Sequence, residues 1–283
     1  MNSDQKIIIK RKKGFTLIEL LVVIAIIALL MSILMPTLKL VRRQVRTLIC
    51  ISNQRQCALY FWSYANDNNG RFYEGEINRG KGTNWLNSIR SYHNNNWEIF
   101  MCAEVKEKSG FAGSKYEAWG PFTGNWWRNG CYGSCGVNGW LADPPAECRF
   151  NYTNKGPIGD TRFNWRNANI KGADKIPILC ESIWYIGWAH RSGDVPDYDG
   201  AIVGSLSASY MSWYMMNRHN GYVGCNFLDF SGRKVGLKEL WELNWSREWY
   251  RSSDGDLTPI YAAPTEFTQT DHWLYKYKNY ARY

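Results

Sequence analysis

The feature that most constrains this chain is residues 15–35, FTLIELLVVIAIIALLMSILM. The stretch holds 21 residues with one charge, Glu19, and two hydroxyls, Thr16 and Ser32. As a helix it is about 30 Å long, close to the hydrocarbon thickness of a bilayer. Lys10, Arg11, Lys12 and Lys13 precede it, followed by Gly14. A basic flank beside an apolar span favours the cytoplasmic side for that flank. The body of the chain is then exported, hung from a single N-terminal anchor.

A cleaved secretory signal does not fit. Its apolar core is about 7–15 residues long and ends in a small-x-small cleavage site. Here the core is longer, and Ser32-Ile33-Leu34-Met35-Pro36 offers no such site before a basic helix follows. A plain signal-anchor fits the length but leaves Glu19 unexplained. A carboxylate at bilayer depth costs several kcal/mol unless it is paired or near the interface. The simplest partner is a cation at a helix N-terminus, from this chain or a neighbour. Cutting after Gly14 creates one, the new amine of Phe15.

The run Lys12-Lys13-Gly14-Phe15-Thr16-Leu17-Ile18-Glu19-Leu20-Leu21-Val22-Val23-Ile24 resembles the N-terminal signature of type IV pilins and type II secretion pseudopilins. The resemblance implies a leader ending at Gly14, removed by a membrane-embedded prepilin peptidase, and N-methylation of Phe15. It implies that Glu19 meets the N-terminal amine of an adjacent subunit during assembly. Pro36 sits where the family commonly has a proline; physically it removes one helix hydrogen bond and permits a bend or local loosening. Implied partners are other copies or related subunits in a homo-oligomeric or mixed filament. The peptidase, an inner-membrane assembly platform with its ATPase motor, and membrane lipid complete the set. The implied location is a single-pass inner-membrane protein with a short cytoplasmic N-terminus, becoming a periplasmic or surface filament after assembly.

The expected fold is α+β and pilin-like: a long N-terminal transmembrane and stem helix packed on an antiparallel β-sheet, with large irregular insertions. We divide the chain into a leader (1–14), a transmembrane helix (15–35), an amphipathic stem (36–62) and an exported globular domain (63–283). Beyond Pro36, Leu38, Val41, Val45, Leu48, Leu59 and Trp62 share one helical face. The cluster Asp67-Asn68-Asn69-Gly70 closes the helix. A short helix is expected within 84–100 and a core strand at 178–180. A hairpin is expected from a strand at 224–228, a turn at 229–232 and a strand at 233–235.

Several body segments resemble a pseudopilin-like group abundant in planctomycete-related bacteria. They are Cys50 through Gly70, Phe100-Met101-Cys102, Cys131 through Trp140, and above all Arg218-His219-Asn220-Gly221 with Asp229. The last set resembles that group's C-terminal motif, although Ser231-Gly232-Arg233 departs from its glycine-histidine form.

Eight cysteines in an exported chain permit disulfides. Cys131, Cys135 and Cys148 lie in a glycine-rich segment and form the most local group, while Cys50 and Cys57 stand two helical turns apart and cannot bridge each other. A zinc site at Cys131 and Cys135 is the rival reading, weakened by the lack of a second tight pair or a nearby histidine. His219 near Cys225 invites a nucleophile reading, but no strained elbow, oxyanion turn or third partner accompanies it. His219 and Asn220 instead read as hydrogen-bonding the turn into the strand. No enzymatic activity and no cofactor are expected. Calcium is the one ion for which Asp229, or Asp254 with Asp256, are candidate ligands, without EF-hand spacing.

The net charge of +9 is concentrated in residues 1–59, which carry ten basic and two acidic residues. It therefore marks topology and the stem, and no nucleic-acid partner is expected. The 15 tryptophans and 18 tyrosines include Trp119, Trp126, Trp127, Trp140, Trp165, Trp184, Trp188 and Trp213. Exposed and coplanar, these would make the chain a membrane-anchored glycan- or substrate-binding surface protein; buried, they fill a glycine-rich core.

Overall fold

A computed structural model describes residues 15–75, 84–124, 129–144, 163–189, 195–196, 199, 211–247 and 269–277. The chain divides into two units, Met1–Val45 and Arg46–Tyr283.

One helix, α1 (Leu17–Asp67), begins in the first unit and ends in the second. Among the described residues it is the one helix long and apolar enough to cross a membrane. It runs unbroken through Pro36; the side chains of Ser32 and Thr37 there turn back onto the carbonyls of Leu29 and Leu34. The helix ends beyond the expected stem boundary, at Asp67. Gly70, with φ 78°, donates its N–H to the Ala65 carbonyl at 2.7 Å, and the Asn68 side chain reaches the Tyr64 carbonyl. A left-handed glycine satisfying a last-turn carbonyl is the usual way to stop a helix without orphaned acceptors.

In the second unit the stem docks through Thr47, Cys50, Gln54, Cys57, Ala58, Phe61 and Ala65, all buried. The expected face is not the docked one: Leu48, Leu59 and Trp62 are exposed. Small and polar residues line the contact because the stem comes close to the sheet's backbone. Gly232 of the sheet shows the approach: a Cβ there would strike the Arg55 side chain of the stem.

The main sheet has the order β5-β3-β4-β6-β7, from β3 (Cys135–Asn138), β4 (Pro177–Glu181), β5 (Ile186–Gly187), β6 (Tyr222–Phe227) and β7 (Gly232–Gly236). Three pairings are antiparallel; β3 and β5 pair in parallel, so the sheet is mixed. Two short strands, β1 (Glu107–Lys108) and β2 (Glu117–Ala118), form a separate parallel pair. The expected strand at 178–180 falls within β4, and the expected hairpin forms from β6 and β7, with its first strand ending at Phe227 and its second beginning at Gly232. The expected short helix is α2 (Trp85–Ser88), capped by the Asn84 side chain. The fold is thus α+β and pilin-like, with a long N-terminal helix and a stem packed on a sheet.

Asparagines do the joining where strand register lapses. Pairing of β4 with β6 shifts between Pro177 and Leu179. There, the Asn226 side chain accepts from Leu179 N–H at 2.9 Å and donates to the stem carbonyl of Gln54 at 2.7 Å. Asn138 likewise donates to the carbonyls of Pro177 and Trp245. Buried amides of this kind are tolerated because both ends find partners.

The disulfide joins Cys180 to Cys225, cross-strand neighbours on β4 and β6. Of the expected local group of Cys131, Cys135 and Cys148, Cys131 and Cys135 are not bonded to each other. Cys135 is a buried free thiol that accepts from the Gln54 side chain. The Cys131 sulfur accepts from Arg90. Cys148 lies outside the described residues. Local density in sequence does not bring sulfurs together; cross-strand register does.

Trp119, Trp140, Trp184, Trp188 and Trp213 are buried, and Trp165 packs against the core. The indole N–H groups of Trp85, Trp119, Trp140 and Trp165 each donate to a backbone carbonyl. The described tryptophans of that set therefore build the interior and form no exposed platform. Trp126 and Trp127 lie outside the described residues.

Candidate functional site

Two regions carry the candidate functional residues. The first is the helix start in the first unit. Phe15 is exposed, and Gly14 lies outside the described residues. Thr16 and Glu19 make a reciprocal capping box: Thr16 N–H and Oγ–H donate to Glu19 Oε2 at 2.8 and 2.7 Å, and Glu19 N–H donates to Thr16 Oγ1 at 3.3 Å. Such a box satisfies donors that the first helical turn cannot. Every large apolar side chain from Leu17 to Met35 is exposed. Each Leu, Ile, Val or Met left in water forgoes about 1.5–3 kcal/mol, so this surface demands lipid or other apolar helices.

The second region is a buried polar cluster in the second unit. Thr47 and Cys50 stand one turn apart on the stem. Cys102 follows a short 3-10 turn (Trp97–Phe100), and its N–H donates to Ser134 Oγ at 2.6 Å. Glu181 ends β4 and accepts from Gly224 N–H of β6 at 3.1 Å. His219 precedes β6. Its Nδ1 lies 3.1 Å from Thr47 Oγ1, and its Nε2 lies 3.0 Å from Glu181 Oε1 and 3.4 Å from Cys102 Sγ. Cys50 Sγ lies 3.2 Å from Cys102 Sγ. The side chains of His219 and Glu181 are essentially sealed from solvent.

Burial presses the His219 pKa down, but the Glu181 carboxylate, with Cys102, outweighs it and holds the imidazole at about 10. Burial would raise Glu181, and the His219 charge overcomes this and lowers it. Cys102 is pushed well up by its contact with Cys50, by burial and by Glu181.

The sequence-picked residues therefore separate. His219 points into this cluster and does not touch the Cys225 thiol, which is spent in a disulfide; its side chain does not bond the turn. Arg218 is buried and donates to the carbonyls of Lys115, Ser134 and Ser114 at 2.9, 2.7 and 2.8 Å, tying its own segment to two others. Asn220 and Gly221 take left-handed backbone with φ 54° and 93°; a Cβ on Gly221 would strike the Tyr277 ring. Asp229 accepts from Ser231 N–H within the hairpin turn. Asp254 and Asp256 lie outside the described residues. Sequence reasoning missed Thr47 and Glu181 and gave Cys50 and Cys102 no shared role, because four distant segments supply them. The one signal was that Cys50, Phe100-Met101-Cys102 and His219 all fell within the segments singled out.

Residues 9–35 match the family described as the prokaryotic N-terminal methylation motif. The chain carries a prepilin-type N-terminus. That span covers the Gly14–Phe15 junction, the Thr16–Glu19 box and the exposed apolar stretch of the helix. None of the curated proteins and none of the solved structures compared with the chain matches it.

Proposed function

We propose that this chain is a structural subunit of a type II secretion pseudopilus or a type IV pilus-like filament, assembled after leader cleavage and supporting protein secretion. The observation that carries this reading is the methylation motif lying on the exposed apolar part of a helix that begins at the Thr16–Glu19 box. A prepilin peptidase cuts after Gly14 and Phe15 is N-methylated. In the membrane, lipid covers residues 15–35; in the filament, the same residues of neighbouring copies replace the lipid. Glu19 leaves Thr16 and receives the buried amine of the adjacent Phe15, which turns two costly charges into a pair. An inner-membrane platform and its ATPase motor then push subunits outward. The exposed row Leu38, Val41, Val45, Leu48, Leu59 and Trp62 supplies further apolar contact between copies.

The test is sedimentation of sheared or periplasmic filaments from cells expressing the chain, with and without the prepilin peptidase. Filaments containing the chain only when the peptidase is present support the reading. A chain that stays monomeric in the membrane despite complete processing contradicts it.

A further inference from the structure

We infer that Cys50, Cys102, Glu181 and His219 form a closed, structural zinc(II) site that fastens the stem helix to the sheet. The ligand atoms of the four residues lie within 4.8 Å of one another, and all four residues are buried. Two soft thiolates, one imidazole and one carboxylate are a donor set suited to tetrahedral zinc. Around such an ion, sulfur–sulfur, sulfur–nitrogen and nitrogen–oxygen edges are about 3.8, 3.5 and 3.3 Å. The corresponding separations here are 3.2, 3.4 and 3.0 Å, so these three edges open by a few tenths of an ångström around the ion, while the other three stay within 4.8 Å.

The surroundings are built as a metal site requires. Thr47 Oγ1 lies beside His219 Nδ1; with the metal bound, Nδ1–H donates to it and the Nε2 lone pair faces the cluster, the orienting role outer partners play for metal-bound histidines. Ala103 N–H donates to Cys50 Sγ at 3.2 Å, and Glu104 N–H stands 3.5 Å from Cys102 Sγ. Gly224 N–H holds the second Glu181 oxygen. Two thiolates, a carboxylate and neutral histidine around a divalent ion leave one net negative charge. The buried Arg218 guanidinium, engaged only with carbonyls among its described contacts, supplies the counter-charge. A cation at the centre also removes the reason for the thiols to stay protonated. Metal binding releases those two protons together with the Nε2 proton of the His219 imidazolium, and the free energy of binding becomes folding free energy.

The rival for the same atoms is a Cys50–Cys102 disulfide. The sulfurs stand well beyond the roughly 2.05 Å of a disulfide, in a chain whose Cys180 and Cys225 are joined. The Glu181–His219 pair beside them has no part in a disulfide but completes a zinc shell.

The test uses the full chain extracted from membranes in detergent. Elemental analysis of the wild-type chain after dialysis is expected to find about one zinc per chain. Cys50 and Cys102 should resist alkylation until a chelator is added. Cobalt(II) exchanged into the chain should show thiolate-to-metal charge transfer and tetrahedral visible bands. Cys50→Ser with Cys102→Ser should lower bound zinc at least about tenfold, whereas Cys135→Ser should leave it unchanged. Metal-poor wild-type chain with a Cys50–Cys102 peptide in a non-reducing map overturns the site. So does full zinc occupancy in the double variant. If the double variant fails to fold, the wild-type zinc content, peptide map and cobalt spectrum decide alone.

Discussion

Thr16 and Glu19 hold each other at the start of the long helix, with Glu19 Oε2 accepting from both the backbone and the hydroxyl of Thr16. The one acid in the apolar stretch is thereby held locally in the single chain, and the proposed assembly would exchange that partner for a neighbour's amine. Glu19→Ala removes both partnerships. A buried amine without its acid costs about 3–5 kcal/mol, so the concentration needed for filament growth should rise on the order of 100-fold or more. Thr16→Ala removes only the cap, about 1 kcal/mol, and filaments should still form. Quantitative pelleting of filaments from matched membranes separates the two.

The His93 ring is buried against Trp97 and Phe100, with centroids at 4.5 and 5.3 Å. Burial pushes its pKa down from 6.5 to about 4, with Arg90 adding to the shift. The unfolded chain takes up this proton first. Stability is therefore complete above pH 6.5, falls as pH drops towards 4, and this contribution levels off below. The loss over that window is on the order of 3 kcal/mol. Urea midpoints measured across the window should fall with pH, and His93→Phe should flatten the slope.

Asn226 bridges a strand N–H and a stem carbonyl at the register shift. Asn226→Ala strands the buried Leu179 N–H, at about 1–3 kcal/mol, and removes the extra bond to the Gln54 carbonyl, which keeps its place in the helix, at about 0.5–1.5 kcal/mol. The variant should lose about 2–4 kcal/mol of stability by urea denaturation. Loss below about 0.5 kcal/mol, the range of an ordinary surface change, would show that the bridge does not fasten the stem.

The Cys180–Cys225 disulfide closes a loop of sequence separation 45. Loop-closure entropy at that length corresponds to about 4 kcal/mol at most, and measured effects commonly fall between about 2 and 4 kcal/mol. Replacing both cysteines by alanine should lower stability by that amount. Non-reducing peptide mapping should recover the two residues in one linked fragment.

Much of this architecture is legible without coordinates. The apolar stretch, its basic flank and Glu19 announce the long helix, and alternation around Gly224 with a turn at Asp229 announces the β6–β7 hairpin. The stem's docked face is not, because periodicity tracks large apolar residues. Here Thr47, Cys50 and Gln54 are buried by a close sheet while Leu48 and Leu59 face outward. The disulfide escapes for a related reason: Cys180 and Cys225 meet only once β4 and β6 pair. The cluster at His219 draws on the stem, the turn after Phe100, the end of β4 and the start of β6. No spacing rule in a single sequence joins those four segments.

Mass spectrometry of the N-terminal peptide from membrane fractions tests the central claim most directly. The expected peptide begins at N-methylated Phe15 and disappears when the prepilin peptidase is absent. A chain found only in its uncut form, beginning at Met1, would contradict the account.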